Sequence, residues 1–172
     1  MTTPSDIRLA APADALLLAT QRVAMFRDMG RITPELEQPL FDSCADYFAE
    51  ALPKGEYVGW VAALTGPAHP AVGGAGVQLR PLLPRPDPAG RFLLVGREGL
   101  ILNVYVDPAH RRQGVARSLM GTLIRWASGA GIVRLALHAS PDGRSLYESL
   151  GFRASNEMLF PPFAAPATAS AG

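Results

Sequence analysis

The sequence predicts an α/β layered domain in which two central strands run parallel through a helical crossover. Three observations carry this. Leu100 to Val106 reads Leu-Ile-Leu-Asn-Val-Tyr-Val, the kind of apolar run found in a strand buried on both faces. An amphipathic stretch follows, with Val115, Leu119, Leu123 and Trp126 on one stripe and Arg117, Ser118, Gly121 and Arg125 off it. A second apolar run, Ile132 to Ala139, begins after Gly129 and Gly131 have ended the helix. Strand, helix and strand in that order make a crossover unit.

The remaining elements are read in chain order. Asp6 to Leu9 suits a short first strand. Leu16, Ala19, Val23 and Phe26 then recur at helical spacing, with Asp14 near the start and Gly30 as the stop. A second helix follows Thr33-Pro34, but Pro39 would interrupt it, so its regular part is expected from Leu40 through Cys44, Phe48 and Leu52. Cys44 reads as a small core residue there. Glu56 to Leu64 and Ala71 to Leu82 suit two hairpin arms, with Gly66-Pro67 and Pro70 in the turn. Pro81, Pro84, Pro86 and Pro88 punctuate an expected loop before Phe92. After the crossover unit, Asp142 to Leu150 suits a short helix stopped by Gly151, and Phe152 to Phe160 a last strand. The tail, 164–172, is rich in proline and alanine and is expected to fray, leaving one domain over 1–163.

Composition narrows the function classes. The chain has 172 residues, 48% of them apolar and 18% charged, with a formal charge of +1. Disorder goes with low hydrophobicity and high net charge, so a disordered polyelectrolyte is excluded. A surface built wholly as a nucleic-acid footprint is disfavoured too. The single cysteine fits a reducing compartment, and no signal-like or membrane-spanning run stands out, so a cytoplasmic domain without a membrane partner is expected. The total charge hides a polarity. Residues 1–60 hold nine acids against five bases, whereas 108–141 hold five arginines and no acid.

That acid-free stretch contains Arg111-Arg112-Gln113-Gly114-Val115-Ala116, set between a buried strand and a long helix. A helix start exposes unpaired N–H groups and the positive end of its dipole. Gly114 lets the backbone approach a phosphate, small Ala116 keeps that approach open, and Arg111, Arg112 and Arg117 supply positive charge. The six residues alone fit an anion cradle and an ordinary strand-to-helix turn equally well. The surrounding arginines tilt the balance towards a bound polyanion. Gly73-Gly74-Ala75-Gly76 is not a second such loop, because no long helix follows it and Leu79 stands where a dinucleotide fingerprint needs glycine. His69 and His110 have no partner at metal-ligand spacing, so no metal is expected.

The loop with its helix, the strand after it, and Leu146-Tyr147-Glu148-Ser149-Leu150-Gly151-Phe152 together resemble the GNAT superfamily of N-acetyltransferases. The family's acyl-coenzyme A loop runs Gln or Arg, two residues, Gly, one residue, then Gly or Ala; Arg111, Gly114 and Ala116 match it. The resemblance implies a mixed, mostly antiparallel sheet of six to seven strands, about four flanking helices, and a central parallel pair that splays apart. It implies acetyl-CoA, with its pantetheine arm bonded to the main chain of Val104, Tyr105 and Val106. The pyrophosphate would lie over Arg112, Gln113, Gly114, Val115 and Ala116, flanked by Arg111 and Arg117. Ser140 stands where many relatives have an asparagine against the pantetheine, and Tyr147 matches the family's proton donor to the departing thiolate.

The acceptor implied is a primary amine of a small molecule or peptide, walled by the N-terminal helices through Phe26 and Met29. The acids Asp28, Glu35 and Glu37 on those helices would favour a cationic acceptor. Asn103, a lone amide in an apolar strand, either lines the acceptor site or satisfies backbone at a bulge. Glu98, Asp107, His138 and Glu157 are all candidates for the base that deprotonates the amine. A homodimer is compatible with the family. The rival from another class is a non-catalytic acyl-coenzyme A sensor, which needs the loop but not Tyr147; transfer to a hydroxyl or of a longer acyl chain is a third reading, and a nucleic-acid binder is the weakest.

Overall fold

The computed structural model describes residues 5–65 and 70–160. Its elements are β1 (Ser5–Leu9), α1 (Ala15–Asp28), α2 (Pro34–Lys54), β2 (Tyr57–Leu64), β3 (Ala71–Pro86), β4 (Leu93–Val106), α3 (Val115–Gly129), β5 (Ile132–Leu137) and α4 (Arg144–Ser149). One sheet runs in the order β1-β2-β3-β4-β5. Its first three pairings are antiparallel, and β4 with β5 is parallel, joined by α3 as the right type of crossover.

The alternation of the strands sorts two cores onto the two faces. Trp60, Ala62, Val72, Ala75, Val77 and Ile101 face α3 and bury Val115, Leu119, Met120 and Leu123. On the opposite face α1 and α2 pack Leu18, Ala19, Cys44, Phe48 and Ala51 around Tyr57. Cys44 is the small core residue its helical position predicts.

The glycine run of β3 explains how closely that second layer sits. A Cβ on Gly74 would stand 2.3 Å from Gln21 Oε1, and one on Gly76 only 2.0 Å from the Tyr57 hydroxyl. Buried Gln21 and Tyr57 therefore lie flat on bare backbone, and the run is a packing platform.

Several expectations are corrected. Among the described residues the sheet has five strands, not six or seven. Phe152–Phe160 forms no strand, because Arg153 to Glu157 are all exposed polar or small residues with no half-buried face to hold against the sheet. The parallel pair consequently lies at the edge of the sheet among the described residues instead of at its centre. The α1 stripe is Ala15, Leu18, Ala19 and Val23, and Leu16 is 61% exposed. Residues 15–19 are apolar all round, so spacing alone does not fix the face. Helix α2 begins at Pro34, not near Leu40. Pro39 removes one ladder bond in its second turn, where the freed Glu35 carbonyl lies on an exposed residue.

The proline-punctuated segment is a hairpin rather than a loop, with Leu82 opposite Gly96 and Pro86 opposite Leu93. Beyond Gln78 the outer edge of β3 has no β2 partner, so prolines there cost no ladder bond. A register shift between Leu82 and Arg85 absorbs Leu83 and Pro84. The expected turn at Gly66-Pro67, and the tail from 161 onward, lie outside the described residues.

Candidate active site

Strands β4 and β5 pair from Arg97 with Ile132 to Ile101 with Leu137, with one register shift between Arg97 and Glu98, and there the pairing stops. Strand β4 continues alone on that side through Leu102–Val106. The cause is visible in the ladder to β3. Gly74 faces Tyr105 but Gly76 faces Leu102, so Asn103 and Val104 together stand against Ala75. This bulge bends the strand and increases its twist. Asn103 adopts φ 59°, a left-handed conformation that asparagine tolerates better than most residues.

Asn103 is buried, and its amide is used twice. Its Nδ2 donates to the Leu18 carbonyl at 3.3 Å, and its Oδ1 accepts from Arg22 Nη1 at 3.0 Å. Asn103 thus sits at the bulge with both ends of its amide engaged by α1.

Beyond the end of β4, a short 3-10 turn (Pro108–His110) leads into α3. Arg112 has φ 63° and Gly114 φ 85° in that connection, two left-handed residues within three positions. Such turns present successive N–H groups to one concavity. The N-cap of α3 is Gly114 with no side-chain cap bond, which leaves the first-turn N–H groups without a protein side chain to accept from them. A Cβ at Gly114 would meet nothing within 4 Å, so the space before these donors is open. Uncapped donors, the dipole and an open approach fit a phosphate-bearing ligand, and Arg112, exposed beside them, fits as its counter-charge.

The neighbouring residues divide. Val115 is a core residue whose side chain faces the sheet, leaving only its backbone for a ligand. Ala116 is small and partly exposed, as a close approach requires. Gln113 Nε2 donates to the Ala109 carbonyl at 3.2 Å and braces the turn. Arg117 donates to Ser149 Oγ at 2.7 Å, tying α3 to α4. Arg111 is not a free cation: it forms an ion pair with Asp28 at the end of α1 and donates to the Val106 carbonyl at 2.9 Å. Val104 and Val106 pack towards the α3 core. On the other side, the Tyr105 phenol is pushed up by burial and by the nearby Asp107 and Asp28 charges.

Helix α4 follows β5 at the end where the parallel strands part. Tyr147 packs against the α3-side core and meets Phe152 edge-on at 6.1 Å between ring centroids. Burial pushes its phenol above the ordinary range, so it holds its proton throughout neutral and mildly alkaline conditions. Ser140 Oγ accepts from Gly143 N–H at 3.2 Å. A Cβ built on Gly143 would touch both that hydroxyl and the Tyr147 ring, so Ser140 and Tyr147 are brought together around one glycine.

The base candidates fare differently. Glu98 is buried and taken by Arg80 at 2.6 Å and Arg134 at 2.8 Å, stitching β3, β4 and β5 together. Asp107 accepts from Ala109 N–H at 2.9 Å. His138 and Glu157 stand 3.9 Å apart, both more than half exposed.

The acids expected to attract a cationic acceptor are also engaged. Glu37 forms a two-point pair with Arg27 at 2.7 and 2.5 Å, and Asp28 pairs with Arg111. Glu35 takes hydrogen bonds at the start of α2. A cavity of about 210 Å³ lies between α1 and α2, lined by Thr20, Val23, Ala24 and Phe41 with the Arg27–Glu37 pair. Phe26 is partly buried under the Arg22 guanidinium, 5.0 Å from the ring centroid, and Met29 is exposed just past α1. Sequence reading missed Arg22, because a lone arginine on a helix carries no periodic or motif signal.

A bulged strand leaving its parallel neighbour, with an uncapped helix start beside it, is the arrangement that the GNAT resemblance implies. Residues 19–152 match the family model for the acetyltransferase (GNAT) family, and the chain belongs to that family. A GCN5-related N-acetyltransferase from Ralstonia eutropha JMP134 superposes with a TM-score of 0.78 at 30% identity, covering 92% of this chain and 99% of that one. An acetyltransferase from Clostridium acetobutylicum, crystallised with acetyl-CoA, gives a TM-score of 0.73 at 26% identity over 91% and 95% of the two chains. Mycothiol acetyltransferase of Clavibacter sepedonicus is 34% identical over 74 residues, 42% of this chain. That match spans 24% of the relative's own length.

Proposed function

We propose that the protein transfers the acetyl group of acetyl-CoA directly to a primary amine of a small molecule or peptide. One observation supports this most: the uncapped start of α3, with left-handed Gly114, opens at the end of the sheet where β4 leaves β5. Ligands of α/β sheets collect outside the carboxyl ends of their strands. The donor N–H groups of the α3 first turn, with Arg112, would hold a pyrophosphate there. The main chain of Val104 and Tyr105, free of β5, would bond the amides of a pantetheine arm, while the Val106 carbonyl already accepts from Arg111.

Bound acetyl-CoA supplies an activated acyl carbon and a thiolate leaving group. The chain has then to orient the amine and to hold a proton where the thiolate departs. Tyr147 fits the second task, since burial keeps its phenol protonated and α4 places it at the diverging end of the strands. Ser140 Oγ accepts from Gly143 N–H in the turn before α4 and so supports the position of Tyr147, and its hydroxyl would be the one to bond the pantetheine arm. Glu98 is held by two arginines, which leaves Asp107, the exposed His138 and Glu157, or solvent to take the proton from the amine.

Incubating the full chain with acetyl-CoA and a broad amine panel, with free thiol as the readout, tests this. Amine-dependent thiol release is expected. Binding of acetyl-CoA with no release on any amine would instead favour the non-catalytic sensor.

A further inference from the structure

Arg22 is the cation on α1 that the fold leaves without an anion. What its partly buried guanidinium touches is uncharged: Asn103 Oδ1 at 3.0 Å, the Phe26 ring at 5.0 Å, and the Cys44 thiol, which burial pushes up against the pull of that charge. Arg8, Arg27 and Arg111 each have a carboxylate, in Asp14, Glu37 and Asp28, and among the described residues no carboxylate pairs with Arg22. A partly buried charge facing only amide oxygen, ring and thiol is costly to keep. Local rules of this kind are broken chiefly at functional sites.

Its position gives the cost a use. The Asn103 amide that it donates to sits at the bulge, two residues past the last β4–β5 pair at Ile101. On the reading given above, the next residues, Val104 and Tyr105, hold the pantetheine arm, whose end carries the acyl group. Asp28 and Glu37 are held by Arg111 and Arg27, so neither of them balances Arg22.

We infer that Arg22 binds an anionic group of the acceptor, and that the acceptor is an amine bearing a carboxylate, of the amino-acid class. The planar fork of arginine suits a carboxylate, which can take two of its N–H groups. Phe26, stacked on the other side of the fork, limits the direction from which the anion arrives. The inference rests on the acetyltransferase reading for the reaction, but its binding test does not.

Matched pairs of N-acetyl amino acids and their carboxamides, titrated calorimetrically on the full chain in the presence of coenzyme A, read it out. At least one acid should bind about tenfold more tightly than its amide, the equivalent of one charge-assisted hydrogen bond. Arg22→Gln should abolish that ratio without changing coenzyme A affinity. Arg22→Lys should keep part of it, and serves if the glutamine variant fails to fold. No binding by any acid, equal binding within every pair, or a ratio that survives Arg22→Gln overturns the assignment. An Arg22-dependent ratio without acetylation of any amine would overturn the acetyltransferase reading alone.

Discussion

Replacing Tyr147 by phenylalanine should lower kcat for acetyl transfer by about 10²–10³-fold, within the usual contribution of a positioned general acid. The affinity for acetyl-CoA is expected to stay within about twofold, because on the proposed mechanism binding draws on the α3 backbone and only transfer draws on the phenol proton. The ring's packing against Phe152 and the α3-side core is retained by phenylalanine, so stability serves as the internal control. The pH profile adds a second check. Burial raises the phenol above its ordinary value of about 10. A donor works while protonated, so its activity persists through neutral pH and is lost only as pH climbs past that raised value. Wild-type kcat should therefore show an alkaline limb above about pH 10 that the phenylalanine variant lacks. Steady-state kinetics against pH on both proteins decide it; an unchanged kcat removes Tyr147 from the mechanism.

Gly76→Ala should be the most damaging single-methyl change in the fold. The new Cβ would meet the Tyr57 hydroxyl at 2.0 Å and its Cζ at 2.2 Å. Tyr57 has no room to retreat. It is 2% exposed, with the Phe48 ring 4.9 Å and the Tyr47 ring 6.3 Å from its own. Overpacking of this sort costs about 3 kcal/mol, seen as a lower urea midpoint at unchanged slope. Gly74→Ala is the informative comparison. There the nearest atom is the Gln21 amide oxygen, the end of a flexible side chain that can rotate aside, and the loss should be smaller. Tyr57→Leu combined with Gly76→Ala should lose less than the two single changes together, because they act on one contact. Equal losses at Gly74 and Gly76 would mean that the platform is looser than its distances imply.

The crossover unit and the α3 loop were legible because their signals are local. The Leu100–Val106 run, the amphipathic stripe of α3 and Gly114 each state their own element. The limits of β3 and β4 were not, since whether Pro81, Pro84 and Pro86 break a strand depends on whether its outer edge needs their missing N–H groups, which only the sheet order answers. The face of α1 was hidden by an all-apolar stretch, and the sixth strand was inferred from apolar ends around a polar middle. At the site, Gly114 and Tyr147 stand out by motif. The pairing of Asp28 with Arg111 and of Glu37 with Arg27 occupies two of the acids expected to attract a cationic acceptor, and such pairings join residues 83 and 10 positions apart. No count of charges along the chain reveals which of them cancel.

The central claim is that the start of α3 holds the diphosphate of an acyl-coenzyme A. Calorimetric titration of acetyl-CoA into the full chain and into Gly114→Val tests it most directly. A β-branched residue cannot hold φ 85°, and its methyl groups would enter the open approach to the first-turn donors. One site per chain is predicted for the wild-type protein, weakened at least about tenfold in the variant, whose backbone strain should also lower the melting temperature by several degrees without unfolding the chain at the assay temperature. No binding to the wild-type chain, or an affinity unchanged by Gly114→Val, would contradict it.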